Sequence, residues 1–139
     1  MPSRIRTAQY AAAIVGLAIS IYLTLYHYAG IPLVCSDTGI INCGSVLNSP
    51  LAYILGIPIA VIGIVFFLGE FVVLYTGNLD AITIWNLIGI GSVVYFINLE
   101  RIIGKICAWC TGVHVIVVIL LVLSVYEMLG KGAKHKTQG

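Results

Sequence analysis

Apolar positions along this chain gather into four long runs separated by short polar breaks. The runs cover about Ala8 to Ala29, Pro50 to Tyr75, Ala81 to Ile103 and Cys107 to Leu129. Each is long enough for the roughly 20 residues that cross a bilayer core. In lipid such a run must be helical, because unpaired backbone N–H and C=O groups are not tolerated there. The pattern predicts an all-α integral membrane protein, a bundle of four transmembrane helices. Pro58 falls inside the second run, so that helix either kinks there or starts there. If it starts there, residues 44–55 form a short helix at the surface between helices 1 and 2. Ala12, Gly16 and Ser20 are spaced by four, a stripe of small residues that lets helix backbones approach. Residues 1–129 read as one membrane domain, and the basic tail 130–139 as disordered. Arg4 and Arg6 precede the first run, as in a signal peptide. That run is longer than a signal core and no small-residue cleavage site follows it, so it reads as a retained helix.

Composition excludes a soluble fold. Of 139 residues, 60% are hydrophobic and 9% charged. A soluble domain of this size could not bury that much apolar surface. The formal charge of +2 sits mostly at the chain ends, so nucleic acid is not an expected partner. The same charges orient the bundle. Arg4, Arg6, Lys131, Lys134 and Lys136 share the side of the termini, against Arg101 and Lys105 on the other. The positive-inside rule puts the termini in the cytoplasm. The 30–50 loop and the 104–107 turn then face outward, where disulfides form and persist.

Those two outward segments hold all four cysteines: Cys35 and Cys43 in the loop, Cys107 and Cys110 at the mouth of the fourth run. Thiols close in sequence suit redox exchange, since one attacks a disulfide and the other resolves it. If Cys107 opens a helix, the free N–H groups there favour its thiolate. Cys110 then shares its face one turn deeper, nearer the lipid. Competing readings of the CxxC are an inert disulfide, half of a zinc site with Cys35 and Cys43, or two buried thiols. The seven residues between the loop cysteines weaken zinc, for which two to four are usual. For the loop pair the competing reading is a structural staple, and a non-catalytic, disulfide-stapled membrane protein is the rival to an enzyme. His114 lies one turn past Cys110, and an ionisable residue within a span is a functional candidate by default. A packing bond to a neighbouring helix is its alternative. Ser49 precedes Pro50, which suits a helix cap. Trp109 reads as an interfacial anchor, and Glu100 with Arg101 as a solvated pair at the interface.

The chain resembles vitamin K epoxide reductase and its prokaryotic homologues over about residues 8–127. The resemblance rests on Ser20-Ile-Tyr22, the Cys35…Cys43 spacing, Cys43-Gly-Ser-Val-Leu-Asn-Ser49, Gly56-Ile-Pro58, Tyr95 in the third run and Cys107-Ala-Trp-Cys110. It implies a four-helix membrane enzyme that passes electrons from a thioredoxin-like thiol protein to a quinone. The acceptor would be of the ubiquinone or the menaquinone/vitamin K type. Cys35 and Cys43 match the loop shuttle pair, and Cys107 and Cys110 the active-site pair. Ser49, Tyr95 and His114 are the residues expected toward the quinone, with no metal. His114 stands where the animal enzyme has a tyrosine. Some bacterial members carry a fused thioredoxin-like domain that is not present in this sequence, so the donor is expected to be a separate protein. The expected location is the prokaryotic cell membrane.

Overall fold

The computed structural model describes residues 3–35 and 39–138. Four long helices dominate: α1 (Ser3–Ala29), α3 (Ile59–Thr76), α4 (Leu79–Ile103) and α5 (Ala108–Gln138). Between α1 and α3 lie the five-residue α2 (Cys43–Leu47), a 3-10 turn (Pro50–Ala52) and a two-stranded hairpin, β1 (Tyr53–Ile54) with β2 (Ile57–Pro58). Among the described residues, the four long helices are of a length and composition to cross a membrane. The protein is an integral membrane protein of the all-α bundle type.

Each long helix packs mainly on two others. α1 meets α3 and α5, and α4 meets the same two, so α1 and α4 lie across the diagonal. The α1 seam is Gln9, Ala13, Gly16, Ser20 and Leu23, all buried. Gly16 makes the α1–α3 contact possible, because a Cβ there would lie 2.2 Å from the Phe67 ring. The expected stripe is therefore half right: Gly16 and Ser20 are in the seam, but Ala13 rather than Ala12 is its buried neighbour. Trp85 on α4 packs on α3 and donates its indole N–H to the Phe66 carbonyl at 3.1 Å. The outer faces carry exposed Val65, Leu68, Ile84, Leu87, Val115 and Val122, as lipid contact requires.

Three boundaries differ from the sequence reading. The second span begins at Ile59, not near residue 50. Pro58 caps it, since a residue without an N–H fits a helix start but not its interior. Residues 53–58 turn back on themselves through Leu55 (φ 53°) and Gly56 (φ 81°), the turn type that suits a two-residue hairpin. The surface helix is α2 alone, shorter than residues 44–55. The tail expected to be disordered from residue 130 instead continues α5 to Gln138. A helix that enters this segment from a long span needs no new nucleus, so each further residue adds its own backbone bond.

With four antiparallel spans, both termini lie at one end and all four cysteines at the other. The terminal half of the bundle holds a buried polar layer: Gln9, Glu70, Asn86, Ser124 and Glu127. Arg6 binds Glu127 at 3.0 Å and the Leu74 carbonyl at 3.1 Å, tying α1 to α5 and α3. Asn86 reaches Glu70 at 3.4 Å. Breaking a buried pair leaves one charge unmatched, at about 3 kcal/mol. Arg6→Met should therefore lower unfolding stability in detergent by about that much. The double variant Arg6→Met/Glu127→Leu should recover part of the loss, as chemical denaturation will show.

Candidate redox site

The cysteine end is built around the turn that joins α4 to α5. Gly104 ends α4 in the left-handed region (φ 77°) and donates its N–H to the Glu100 carbonyl. The chain then runs extended through Lys105, Ile106 and Cys107 before α5 starts at Ala108. Ile106 uses both its backbone groups on the loop. Its N–H donates to the Ile40 carbonyl at 2.8 Å, and its carbonyl accepts from Asn42 at 2.9 Å. This parallel pairing of Ile41 with Ile106 brings Cys43 beside Cys107. The Lys105 ammonium donates to the Gly39 carbonyl. On the other side of the loop, the Trp109 indole donates to the Val34 carbonyl at 2.7 Å. The Tyr22 hydroxyl donates to Pro32 at 3.0 Å and accepts from the Val34 N–H at 2.9 Å. The Tyr22 and Trp109 rings touch, 5.3 Å between centroids.

All four cysteines meet in one apolar cluster with Leu23, Val46, Leu47 and Ala60. Cys35 and Cys43 are joined as a disulfide, while Cys107 and Cys110 are free thiols. Cys43 is the first residue of α2, which Asn42 caps by accepting the Ser45 N–H at 2.9 Å. Cys107 is fully buried. It does not open the last helix but sits one residue before it, where the Cys110 N–H points at its sulfur at 3.3 Å. The Cys110 side chain, with the backbone N–H groups of Cys110 and Trp109, holds the Cys107 thiol below the usual thiol range against the opposing effect of burial. Zinc shared by the four cysteines is not compatible with this state, since the two sulfurs of a disulfide are not thiolate ligands.

Cys110 faces a cavity of about 850 Å³, open solvent at its mouth included, between α2 and the four long helices. Its wall is largely apolar, with Leu23, Val46, Phe66 and Phe96 prominent. Its titratable lining is Glu100, Cys110 and His114. His114 is 8% exposed and stacks on Phe96 at 6.0 Å. Two expected residues lie elsewhere. Ser49 is not in the cavity wall; its hydroxyl accepts the Leu51 N–H at 3.2 Å and caps the 3-10 turn. Tyr95 is 49% exposed on the outer face of α4, about 100° around the helix from the cavity residue Phe96.

Three residues take roles that sequence reasoning missed. Trp109 and Tyr22 hold the loop, where Trp109 read as an anchor. Glu100 is 9% exposed, lines the cavity and accepts the Cys107 N–H on Oε1 at 3.2 Å, where it read as a solvated partner of Arg101. A signal for Glu100 was present. Ile82, Asn86, Gly89, Val93, Phe96 and Glu100 recur every three or four residues and form one inward stripe of α4.

A family model for the vitamin K epoxide reductase family matches residues 8–125. None of the curated proteins compared with the chain matches it. Loop docking can be tested without any activity. Trp109→Phe keeps the ring and removes the bond to Val34, worth about 1 kcal/mol. Amide exchange at Asn42 and Ile106 should then speed up by roughly fivefold, measured by mass spectrometry.

Proposed function

The chain belongs to the vitamin K epoxide reductase family, and on that premise we propose that it is a membrane thiol–disulfide oxidoreductase that oxidises a thioredoxin-like thiol protein and passes the electrons to a quinone. One observation carries the reading. A closed loop disulfide and a reduced CxxC share one apolar cluster, and the inner CxxC thiol opens on an apolar cavity. We place the cysteine end outside the cell membrane of a prokaryote and the termini in the cytoplasm, from the bias of lysine and arginine toward the termini. The direction of net flow would support disulfide formation in extracytoplasmic proteins.

The cavity fits a quinone head group. Its wall is largely apolar, with the aromatic rings of Phe66 and Phe96 and the polar side chains of Glu100, Cys110 and His114. When bound, a quinone supplies a two-electron acceptor. The protein's residues do the rest by exchange. A donor thiolate attacks the Cys35–Cys43 bond, and Cys43 leaves as a thiolate. Cys43 attacks the Cys107 sulfur of an oxidised CxxC, freeing Cys110 at the cavity wall. The donor's second thiol and then Cys35 resolve the two mixed disulfides. Cys107 and Cys110 are left reduced beside a closed loop disulfide, the redox state of the structure. His114, one turn further along the same wall, is placed to donate a hydrogen bond to an acceptor oxygen.

Cys110→Ala should abolish quinone reduction in membranes supplied with a reduced thioredoxin-like donor. Normal turnover by that variant would contradict the assignment. Cys35→Ala and Cys43→Ala should lose activity with the protein donor yet keep part of it with a small dithiol. The double variant Cys35→Ala/Cys110→Ala leaves Cys43 and Cys107 without their partners. It should accumulate a Cys43–Cys107 bond, found by peptide mapping. Free thiols alone under mild oxidation would favour a non-catalytic, disulfide-stapled protein.

A further inference from the structure

The CxxC must lose protons as well as electrons, and the cavity around it holds few groups that could accept them. α1, α2 and α3 contribute no titratable residue to the wall. α5 contributes Cys110 and His114, with Cys107 just behind them. α4 contributes Glu100 alone, since the neighbouring Arg101 is exposed. Lys105 is engaged with the loop at Gly39. Glu100 is held in place by the Cys107 N–H on Oε1, while the residue as a whole lines the same cavity as Cys110. A carboxylate and a thiolate side by side in a low-dielectric site repel each other strongly. A proton on either group relieves that repulsion.

We propose that Glu100 is the proton acceptor of the Cys107–Cys110 pair, taking a thiol proton onto its carboxylate as the thiolate forms and delivering it into the cavity as the pair is oxidised. The assignment rests on the quinone-linked reading above for its second half only. The balance is simple. Two S–H bonds break and one S–S bond forms, so the pair loses two electrons and two protons. The quinone gains both electrons and both protons, one on each oxygen, and one proton travels by way of Glu100. No further oxidant or base is required.

The plain alternative is that Glu100 merely caps the start of α5. Glu100→Gln separates the two, because the amide oxygen still accepts the Cys107 N–H but does not titrate. The first measurement uses the reduced protein without quinone and follows thiolate absorbance against pH. The parent should titrate in two linked steps, as interacting groups do. Glu100→Gln should collapse the lower step, and Glu100→Asp should keep it. The second measurement is turnover. Glu100→Gln should fall by about a hundredfold at neutral pH and regain rate as pH rises, the size expected for a lost general base. Identical titration curves for the parent and Glu100→Gln would overturn the proposal, as would equal turnover with an unchanged pH profile. Failure of the parent itself to reduce any quinone would instead count against the functional reading, and the titration would still decide whether Glu100 exchanges a proton with the thiols.

Discussion

Ile106 gives both of its backbone hydrogen bonds to the loop that carries Cys35 and Cys43. This pairing, two backbone hydrogen bonds with one in each direction, fixes the register of the two segments. It aligns the loop with the residue before Cys107 and sets α2 across the end of the bundle. Lys105 and Trp109, either side of it, add bonds to Gly39 and Val34. These ties do not pass through the Cys35–Cys43 bond.

The two ends of the bundle solve opposite problems. At the terminal end, Arg6 joins three helices through Glu127 and the Leu74 carbonyl, and Asn86 reaches Glu70. That end resists separation of the helices. At the cysteine end the helices leave an apolar hollow, closed by Val46 and Leu47 of α2. Its polar lining is Ser20, Ser92, Glu100, Cys110 and His114, of which the last three are titratable. A hollow of this kind needs a rigid frame, and the Gly16–Phe67 and Trp85–Phe66 contacts deeper in the bundle supply one.

Placement also sorts the two CxxC sulfurs. Cys107 receives an amide hydrogen bond and lies against the loop, which favours exchange with Cys43. Cys110 lies on the cavity wall beside His114 and Phe96. The two sulfurs thus face different surroundings, Cys107 the loop and Cys110 the cavity.

Hydrophobic runs alone determined the four spans, because a bilayer admits few other structures for such segments. The loop cysteine pair, the serine six residues after Cys43 and Cys107-Ala-Trp-Cys110 together carried the resemblance to the family. Local rules also reached the Ser49 cap, and they marked Pro58 as either a kink or a start without choosing between them. Tertiary structure decided what local rules could not. Whether Tyr95 or Phe96 faces inward depends on the rotation of α4 about its axis, which its neighbours set. Glu100 looks like a surface residue beside Arg101, yet that rotation carries it inside. Trp109 looks like an anchor until the loop is folded over it. The loop pairing joins residues more than sixty apart in sequence, so only the packed bundle brings them together. Side-chain direction and long-range pairing are properties of that packing, whereas span length and thiol spacing are properties of the chain.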